Sequence, residues 1–354
     1  MKILIVKASS LGDIIQALHV LDYLKQRFPH CEIDWAVEES FASLVSSHPH
    51  IRRALSLDLK GVKKGWRKIA YWKALFLSFQ ELRKERYELL FDLQGNCKSG
   101  MITLFSRAKS KIGFGLFSVR EKPSILATHI RFEIPRNLNI RSQHLKLLQT
   151  YFQDRNPIDS RGVRFNIDPS EQEKVEKILN QIPALFRVMV CPGSKWSTKQ
   201  LPKETLALFL EKIALRLNAS FYFVWGSSEE EAYCQEVRKK LTATSDLVEK
   251  LPLTTWQNLM DRMDLVIAVD SSALHLCGTT QTPSFSLFGP TNPDIFKPIG
   301  PRHFALQGKC PYGRQFDKTC PILRTCSTGA CTRDLDPEIM FSEFSKWWDA
   351  LYRS

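Results

Sequence analysis

Three short polar segments could do chemistry, and each follows a run of apolar residues typical of a buried strand. They are K-A-S-S-L-G-D at residues 7–13, P-G-S-K-W-S-T-K at 192–199 and D-S-S-A-L-H at 270–275. A helix is predicted to begin shortly after the first two segments and within the third. In open α/β sheets, ligands bind outside the carboxyl ends of the strands, where helix N-termini offer free N–H groups to anions. The pattern therefore predicts phosphate binding at three strand-to-helix junctions.

The first junction carries a candidate catalytic carboxylate. Gly12 permits a close approach of the backbone to a ligand, and Asp13 would project into the crevice beside it. A carboxylate positioned there could take a proton from a reacting hydroxyl. The same residues also fit a structural role, with Ser10 or Asp13 capping the helix and Gly12 forming a turn. Spacing alone leaves both interpretations open.

The second and third junctions favour an anionic ligand in the other half of the chain. Lys195 and Lys199, with neighbouring hydroxyls and a glycine, suit a diphosphate, although the G-x-x-x-x-G-K-[ST] pattern of a P-loop is absent. A solvated polar loop is the alternative. His275 would lie one turn into the third helix and could reach a ligand, but a lone helical histidine is more often structural. Three such junctions together favour a common function.

The elements that must position these segments alternate between strand and helix. Predicted strands lie at 2–7, 32–37, 87–93, 186–191, 221–225, 265–269 and 284–288, with helices at 14–28, 41–47, 202–217, 229–241, 273–278 and 336–352. A polar stretch at 154–164 interrupts the alternation and is the predicted linker. We therefore predict an α/β fold with two Rossmann-like domains, residues 1–160 and 166–330, facing a central cleft. A C-terminal helix at 335–354 could pack back on the first domain.

The charge is divided unequally between the two halves. Residues 1–165 hold 28 Lys and Arg against 15 Asp and Glu, whereas residues 166–354 hold 22 of each, so the net charge of +13 lies entirely in the first half. This predicts an anionic partner for the first half. No signal peptide is evident, and no apolar stretch approaches the roughly 18 residues of a membrane span, so we expect a cytoplasmic protein.

The cysteines are expected to be free thiols. There are nine of them, an odd number, and a reducing cytoplasm disfavours disulfides. The last four are separated by nine, five and four residues, whereas zinc sites usually contain pairs two to four residues apart. The spacing thus predicts no metal site at Cys310, Cys320, Cys326 and Cys331.

Several segments together resemble one enzyme family, the bacterial ADP-heptose:lipopolysaccharide heptosyltransferases. They are K-x-S-S-L-G-D-I at the start, I-D-W-A-V-E-E at 33–39, F-D-L-Q-G at 91–95, P-G-S-x-W-x-T-K at 192–199, V-D-S-S-A-L-H at 269–275 and L-F-G-P-T at 287–291. The resemblance runs from about residue 1 to residue 300 and is greatest to the heptosyltransferase I branch. It implies a GT-B fold and an inverting, metal-independent transfer of heptose from ADP-heptose to the Kdo and lipid A inner core of lipopolysaccharide.

The resemblance also implies roles for individual residues. Asp13 matches the general base, Lys199 the lysine at the donor diphosphate and Glu230 the glutamate at the ribose. Two departures, Ser-Ser at 271–272 in place of Thr-Gly and K-Q-L-P at 199–202 in place of K-x-W-P, concern details of donor binding. The full set expected to contact the donor is Ser10, Gly12, Ser194, Lys195, Thr198, Glu230, Asp270, Ser271, Ser272, Ala273 and His275.

The basic half is expected to meet the acceptor and a membrane. We predict acceptor contacts for Lys7, Lys98 and Arg120, and contact with the inner face of the cytoplasmic membrane for Lys63, Lys64 and Arg67. The expected protein is a peripheral monomer that needs no cofactor, since none of the three polar segments contains a D-x-D motif. Two alternatives are a nucleic-acid-binding protein, although no recognised motif accompanies the charge, and a GT-B epimerase or hydrolase acting on a nucleotide sugar.

Overall fold

The chain folds into two compact units, Met1–Asn166 and Ile167–Ser354. A computed structural model describes residues 1–58, 69–156 and 162–353, apart from the side chains of 69–72, 74, 75 and 353. No helix within these ranges is both long and apolar enough to span a bilayer.

The first unit is built on a six-stranded parallel sheet with the strand order β3-β2-β1-β4-β5-β6. Its strands are β1 (Lys2–Val6), β2 (Glu32–Glu38), β3 (Arg53–Leu57), β4 (Tyr87–Asp92), β5 (Ala108–Phe114) and β6 (Ile130–Phe132). Its described α-helices are α1 (Leu11–Ala17), α2 (His19–Arg27), α3 (Ala42–Ser46), α4 (Ile69–Lys84), α5 (Cys97–Phe105) and α6 (Ile140–Tyr151), with 3₁₀ turns at Glu39–Phe41 and Lys122–Ala127.

The second unit repeats this plan in the order β12-β11-β10-β7-β8-β9. Its strands are β7 (Phe186–Cys191), β8 (Ala219–Phe223), β9 (Ser245–Leu247), β10 (Leu265–Val269), β11 (Ser284–Phe288) and β12 (His303–Gln307). Its described helices are α7 (Pro169–Gln181), α8 (Lys203–Leu217), α9 (Ser228–Arg238), α10 (Leu253–Met260), α11 (Ser272–Cys277), α12 (Pro293–Phe296), α13 (Ala330–Arg333) and α14 (Pro337–Arg353), with a 3₁₀ turn at Ser197–Lys199.

Both sheets follow the order 3-2-1-4-5-6 of a Rossmann fold, which confirms the predicted fold class. Residues 3–6 of β1 and 265–269 of β10 are almost wholly buried, as the apolar central strands of a covered parallel sheet must be. The strand order reverses between β1 and β4 in one unit and between β7 and β10 in the other. Each reversal leaves a crevice at the carboxyl edge of its sheet, and the three polar segments begin at these two edges.

The C-terminal helix α14 contributes to the core of the second unit. Phe344 is fully buried and contacts Phe209 of α8 and Phe285 of β11 through ring edges. Trp347 and Trp348 join the same cluster. The sequence suggested that this helix could pack back on the first domain; its aromatic face instead lies in the second unit because it completes the apolar surface left by α8 and β11.

Candidate functional site

Asp13 lies in the first turn of α1, at the reversal between β1 and β4. Its Oδ2 accepts hydrogen bonds from the Ser10 backbone N–H at 3.2 Å and from the Ser10 hydroxyl at 3.0 Å. The capping role that the spacing allowed is therefore present. This role leaves acceptor positions of the carboxylate available to a ligand, because Asp13 is partly exposed and an ionised carboxylate has about four such positions. Gly12 lies beside it in the same turn.

The surroundings of Asp13 favour its ionised form. Burial raises the pKa of the Asp13 carboxyl, whereas the Lys7 ammonium, the two hydrogen bonds from Ser10 and the Arg120 guanidinium lower it. The lowering effects outweigh burial, and the pKa lies below its ordinary value. Asp13 is thus a carboxylate at neutral pH and can accept a proton.

Lys7 supplies much of this positive field from inside the unit. Its side chain is buried, and its Nζ donates to the Leu93 carbonyl at 2.9 Å and lies 3.4 Å from Nε2 of His144. A buried ammonium acts on neighbouring charges with little screening by water. The structure thus gives Lys7 an electrostatic effect on Asp13, while the predicted contact with an acceptor stays a prediction.

A glutamine and an aspartate that we did not predict hold the β1–α1 loop in place. Oε1 of Gln94 accepts from the backbone N–H groups of Ala8 at 2.7 Å and Ser9 at 3.1 Å. Asp92, at the end of β4, accepts in turn from the N–H groups of Gln94 and Gly95, both at 2.9 Å. The signal for these residues was the F-D-L-Q-G segment, whose polar members follow a buried strand.

Two predicted acceptor residues lie near this edge of the first sheet. Lys98 is in the first turn of α5, and Arg120 is exposed in the loop after β5. Both lower the pKa of the Glu121 carboxyl, after the larger effect of its hydrogen bonds with Cys97, whose backbone N–H donates at 2.8 Å. Lys98 and Arg120 therefore lie close to one carboxylate, and Arg120 is also near enough to act on Asp13.

A buried ion pair lies at the reversal between β7 and β10 in the second unit. The Nζ of Lys199 is 2.5 Å from Oδ2 of Asp270, with 14% and 5% of the two side chains exposed. The Thr291 hydroxyl donates to the same oxygen at 2.6 Å. Thus Lys199 of the second polar segment contacts Asp270 of the third, as expected for segments that both follow strands at the carboxyl edge of one sheet. Thr291 was not predicted, although it ends the L-F-G-P-T segment.

Glu230 lies over a glycine of the second polar segment. Its Oε2 accepts from the Gly226 N–H at 2.8 Å, and the Ser227 hydroxyl caps the Glu230 N–H at 3.3 Å. A Cβ atom placed on Gly193 would lie 2.3 Å from Cδ of Glu230. Gly193 is therefore needed for this approach, which brings Glu230 to the loop that carries Lys199.

The other predicted residues of the second segment have different surroundings. Ser194 accepts from the Trp196 N–H at 3.4 Å. Lys195 is exposed, and its Nζ lies 5.7 Å from the centre of the Trp196 ring, which Arg324 approaches at 5.1 Å. Lys199, by contrast, is 14% exposed and held in an ion pair, so the two lysines of this loop have different surroundings, and their contacts with a donor stay predictions.

The third segment forms the start of α11. Ser271 is its N-terminal cap, and the Ser271 Oγ is buried with no hydrogen-bond partner in the described part of the chain. Ser272 and Ala273 are the first two helical residues. His275 is buried, with Nε2 4.0 Å from Oδ1 of Asp270. Of these residues, Ser271 follows Asp270 directly in the chain and His275 approaches the Asp270 carboxylate.

A segment near the C-terminus supports the Lys199 loop. The buried Thr198 hydroxyl donates to the Leu323 carbonyl at 3.1 Å, and Gly329, at φ +60°, lies so close that an added Cβ would be 3.0 Å from Cα of Thr198. Thr198 therefore anchors the loop, and its contact with a donor stays a prediction. Beside it, four thiols line one small cavity: Cys310, Cys320, Cys326 and Cys331.

Two further predictions concern the membrane and metals. Lys63, Lys64 and Arg67 lie outside the described residues, so their contact with a membrane stays a prediction. Within the ranges described, no three His, Cys, Asp or Glu side chains are arranged so that they could hold a metal ion.

Two Rossmann-type units, each with polar residues at its reversal, define an enzyme of the GT-B class. The sequence profile of "Glycosyltransferase family 9 (heptosyltransferase)" matches residues 76–325. The chain belongs to this family and is a glycosyltransferase.

Curated relatives and solved structures agree with this assignment. The chain is 30% identical to lipopolysaccharide heptosyltransferase 1 of Campylobacter coli over 300 residues, 82% of this chain and 84% of the relative. It is 27% identical to the Pseudomonas aeruginosa protein of the same name, with 90% and 87% covered. The structure of Escherichia coli heptosyltransferase WaaC with ADP is similar, with a TM-score of 0.78, 19% identity and coverage of 98% and 100%. A family 9 glycosyltransferase from Veillonella parvula gives 0.79 at 16% identity, with 98% and 96% covered.

Proposed function

We propose that this glycosyltransferase moves heptose from ADP-heptose to the Kdo and lipid A inner core of lipopolysaccharide, with inversion at the anomeric carbon. The observation that carries the proposal is Asp13, a carboxylate kept ionised at the edge of the first sheet by Lys7 and Ser10. The names of the curated relatives support the choice of heptose and lipopolysaccharide.

In this mechanism Asp13 acts as the general base. The oxygen of an acceptor hydroxyl attacks the anomeric carbon of the heptose while its proton passes to the Asp13 carboxylate. The bond between that carbon and the diphosphate oxygen breaks, and ADP leaves with its electron pair. Attack on the face opposite the leaving group inverts the configuration.

The second unit is proposed to hold the donor. Lys199 has its ammonium at the reversal of the sheet, where a diphosphate would meet it, and the charge that grows on the leaving ADP is stabilised by that ammonium. The unpartnered Ser271 Oγ is available to a phosphate oxygen, and Glu230 to the hydroxyls of the ribose. The heptosyltransferase WaaC, solved with ADP, shares the fold and supports the choice of nucleotide.

Lys199 also makes a reaction without a divalent metal possible. We propose that it shares its charge between Asp270, 2.5 Å away, and the donor diphosphate. As the bond between the sugar and the diphosphate breaks, negative charge builds up on the diphosphate. Its attraction to the Lys199 ammonium then becomes stronger. Activity in the presence of EDTA would be the direct sign of this arrangement.

The first unit is proposed to hold the acceptor at the cytoplasmic face of the inner membrane. Lipid A and Kdo carry phosphates and carboxylates, which match the net charge of +13 in the first half of the chain. Arg120, which acts on Asp13, and Lys98, which lies with Arg120 near Glu121, are the cations proposed to orient such groups. Lys63, Lys64 and Arg67 are proposed to add attraction to the membrane surface.

A donor screen tests the function as a whole. ADP-heptose, other ADP-sugars, GDP-sugars and UDP-sugars are incubated with Kdo2-lipid A, and release of the nucleotide is followed with and without acceptor. We expect acceptor-dependent release from ADP-heptose and little from GDP- or UDP-sugars. Equal turnover of a UDP-sugar would contradict the donor assignment. Nucleotide release at the same rate with and without acceptor would indicate a hydrolase.

A further inference from the structure

Helix α5 turns most of its large apolar side chains outward. Of its four buried residues only Ile102 is large and apolar, whereas Ser99, Gly100 and Thr103 are small or polar. By contrast, Met101 is 44% and Leu104 59% exposed. A surface helix normally shows the reverse arrangement, with its apolar side toward the core. The sequence thus places apolar surface where water would be, which is typical of an interaction site.

Neighbouring elements extend this apolar surface. Phe105, the next residue after Leu104, is exposed and packs against Phe79 of α4, with 4.7 Å between the two ring centroids. Phe76 of α4 is also exposed. On the other side, α5 packs on the Lys122–Ala127 turn, in which Leu126 is exposed. We call this set the α5 face: Phe76, Met101, Leu104, Phe105 and Leu126.

Positive charge surrounds the α5 face. Residues 93–120 contain five Lys or Arg and no Asp or Glu. The Lys111 ammonium donates to the Leu104 carbonyl at 3.0 Å and the Arg83 guanidinium to the Phe105 carbonyl at 3.2 Å, so cations lie at the C-terminal end of α5. Lys98 lies at its N-terminal end, where Glu121 accepts a hydrogen bond from the Cys97 backbone N–H, so cations outnumber carboxylates around this helix. An apolar centre with a cationic rim is complementary to the surface of an anionic bilayer.

We propose that the α5 face is the surface by which this protein docks on an anionic lipid bilayer. The helix begins at the carboxyl edge of the first sheet, where Lys98 follows β4 and Asp13 follows β1. A docked α5 face would therefore hold that edge at the headgroup level, where a lipid-linked acceptor presents its sugars. This inference deepens the proposed function, on which the choice of a lipid-linked acceptor rests.

The test compares two matched double variants of the full chain. Met101→Gln with Leu104→Gln makes the α5 face polar. Leu208→Gln with Leu215→Gln changes two exposed leucines of α8 in the second unit, which are 57% and 86% exposed. Binding is measured by flotation with vesicles of phosphatidylethanolamine and phosphatidylglycerol, and with phosphatidylcholine vesicles, over a salt series. Thermal unfolding and ADP binding are measured alongside.

We expect the α5 variant to lose roughly tenfold or more in partitioning to the anionic vesicles, since two apolar side chains no longer enter the bilayer. The α8 variant should keep wild-type binding within about twofold, and both should bind ADP and unfold as wild type does. Wild-type binding should be weaker on phosphatidylcholine and should fall with added salt.

Several results would overturn the inference. One is vesicle binding by the α5 variant equal to that of wild type, and another is an equal loss in the α8 variant. A wild-type dimer by sedimentation velocity that only the α5 variant dissociates would make this face a contact between copies. Failure of the proposed function looks different: no transfer from ADP-heptose even to a delipidated acceptor, while vesicle binding still depends on the α5 face.

Discussion

Replacing Lys199 by alanine should damage both the fold and the reaction, and the structure allows the two effects to be separated. In the protein the ammonium lies 2.5 Å from the Asp270 carboxylate, whose side chain is only 5% exposed. The variant would leave that carboxylate charged, buried and without its cation. The hydrogen bond from Thr291 would remain and compensate part of that charge.

The cost can be estimated from the burial of the pair. Removing one partner of a buried ion pair typically costs about 3–5 kcal/mol. Here the 14% exposure of Lys199 and the remaining Thr291 bond reduce it, and we expect a loss of about 2–3 kcal/mol in the free energy of unfolding. Adding Asp270→Asn removes the uncompensated charge and should recover roughly half of that loss or more. Transfer should fall in Lys199→Ala by about 2–4 kcal/mol of transition-state stabilisation, and the second change should not restore it.

The assay is urea unfolding followed by tryptophan fluorescence, with steady-state transfer kinetics on the same preparations. Lys195→Ala is the matched control, because this lysine is exposed in the same loop and should change stability by less than about 0.5 kcal/mol. Stability of Lys199→Ala equal to wild type would refute the account of the pair. Transfer restored in the double variant would show that Lys199 serves only to neutralise Asp270.

Four further predictions concern the base, its pH dependence, the nucleotide site and metals. Asp13→Asn should nearly abolish transfer and leave ADP affinity within a few fold; a normal kcat would remove Asp13 from the mechanism. Because the pKa of Asp13 is lowered, kcat/KM should stay constant through neutral pH and fall only in acid. Lys7→Met removes a cation that lowers this pKa, so the fall in kcat/KM should move to higher pH. Gly193→Ala should weaken ADP binding by roughly 1–3 kcal/mol with little change in melting temperature, because the new methyl group displaces only the mobile end of Glu230, as calorimetry would show. Activity should survive EDTA; loss on chelation that one divalent ion restores would contradict a metal-free reaction.

Much of the fold could be predicted because its signals are local. Strands β7, β10 and β11 have the predicted bounds, since each is a short apolar run ended by polar residues. Strands β3, β5, β6, β9 and β12 were not predicted. They are short or alternate less clearly, with residues such as Arg53, Lys109 and Lys111, and their pairing with distant strands decides their structure.

The sequence by itself determined that three polar segments follow buried strands, and parallel sheets bring such segments to the carboxyl edge. That was enough to predict the fold class and the meeting of the second and third segments. Only the tertiary structure decided which atoms meet there: the Lys199–Asp270 pair, the Thr291 hydroxyl on the same oxygen, and the close approach of Glu230 to Gly193. It also decided that α14 lies in the core of the second unit and that α5 turns Met101 and Leu104 outward. Periodicity shows that a helix has two faces, but the packing partners, distant along the chain, determine which face is covered.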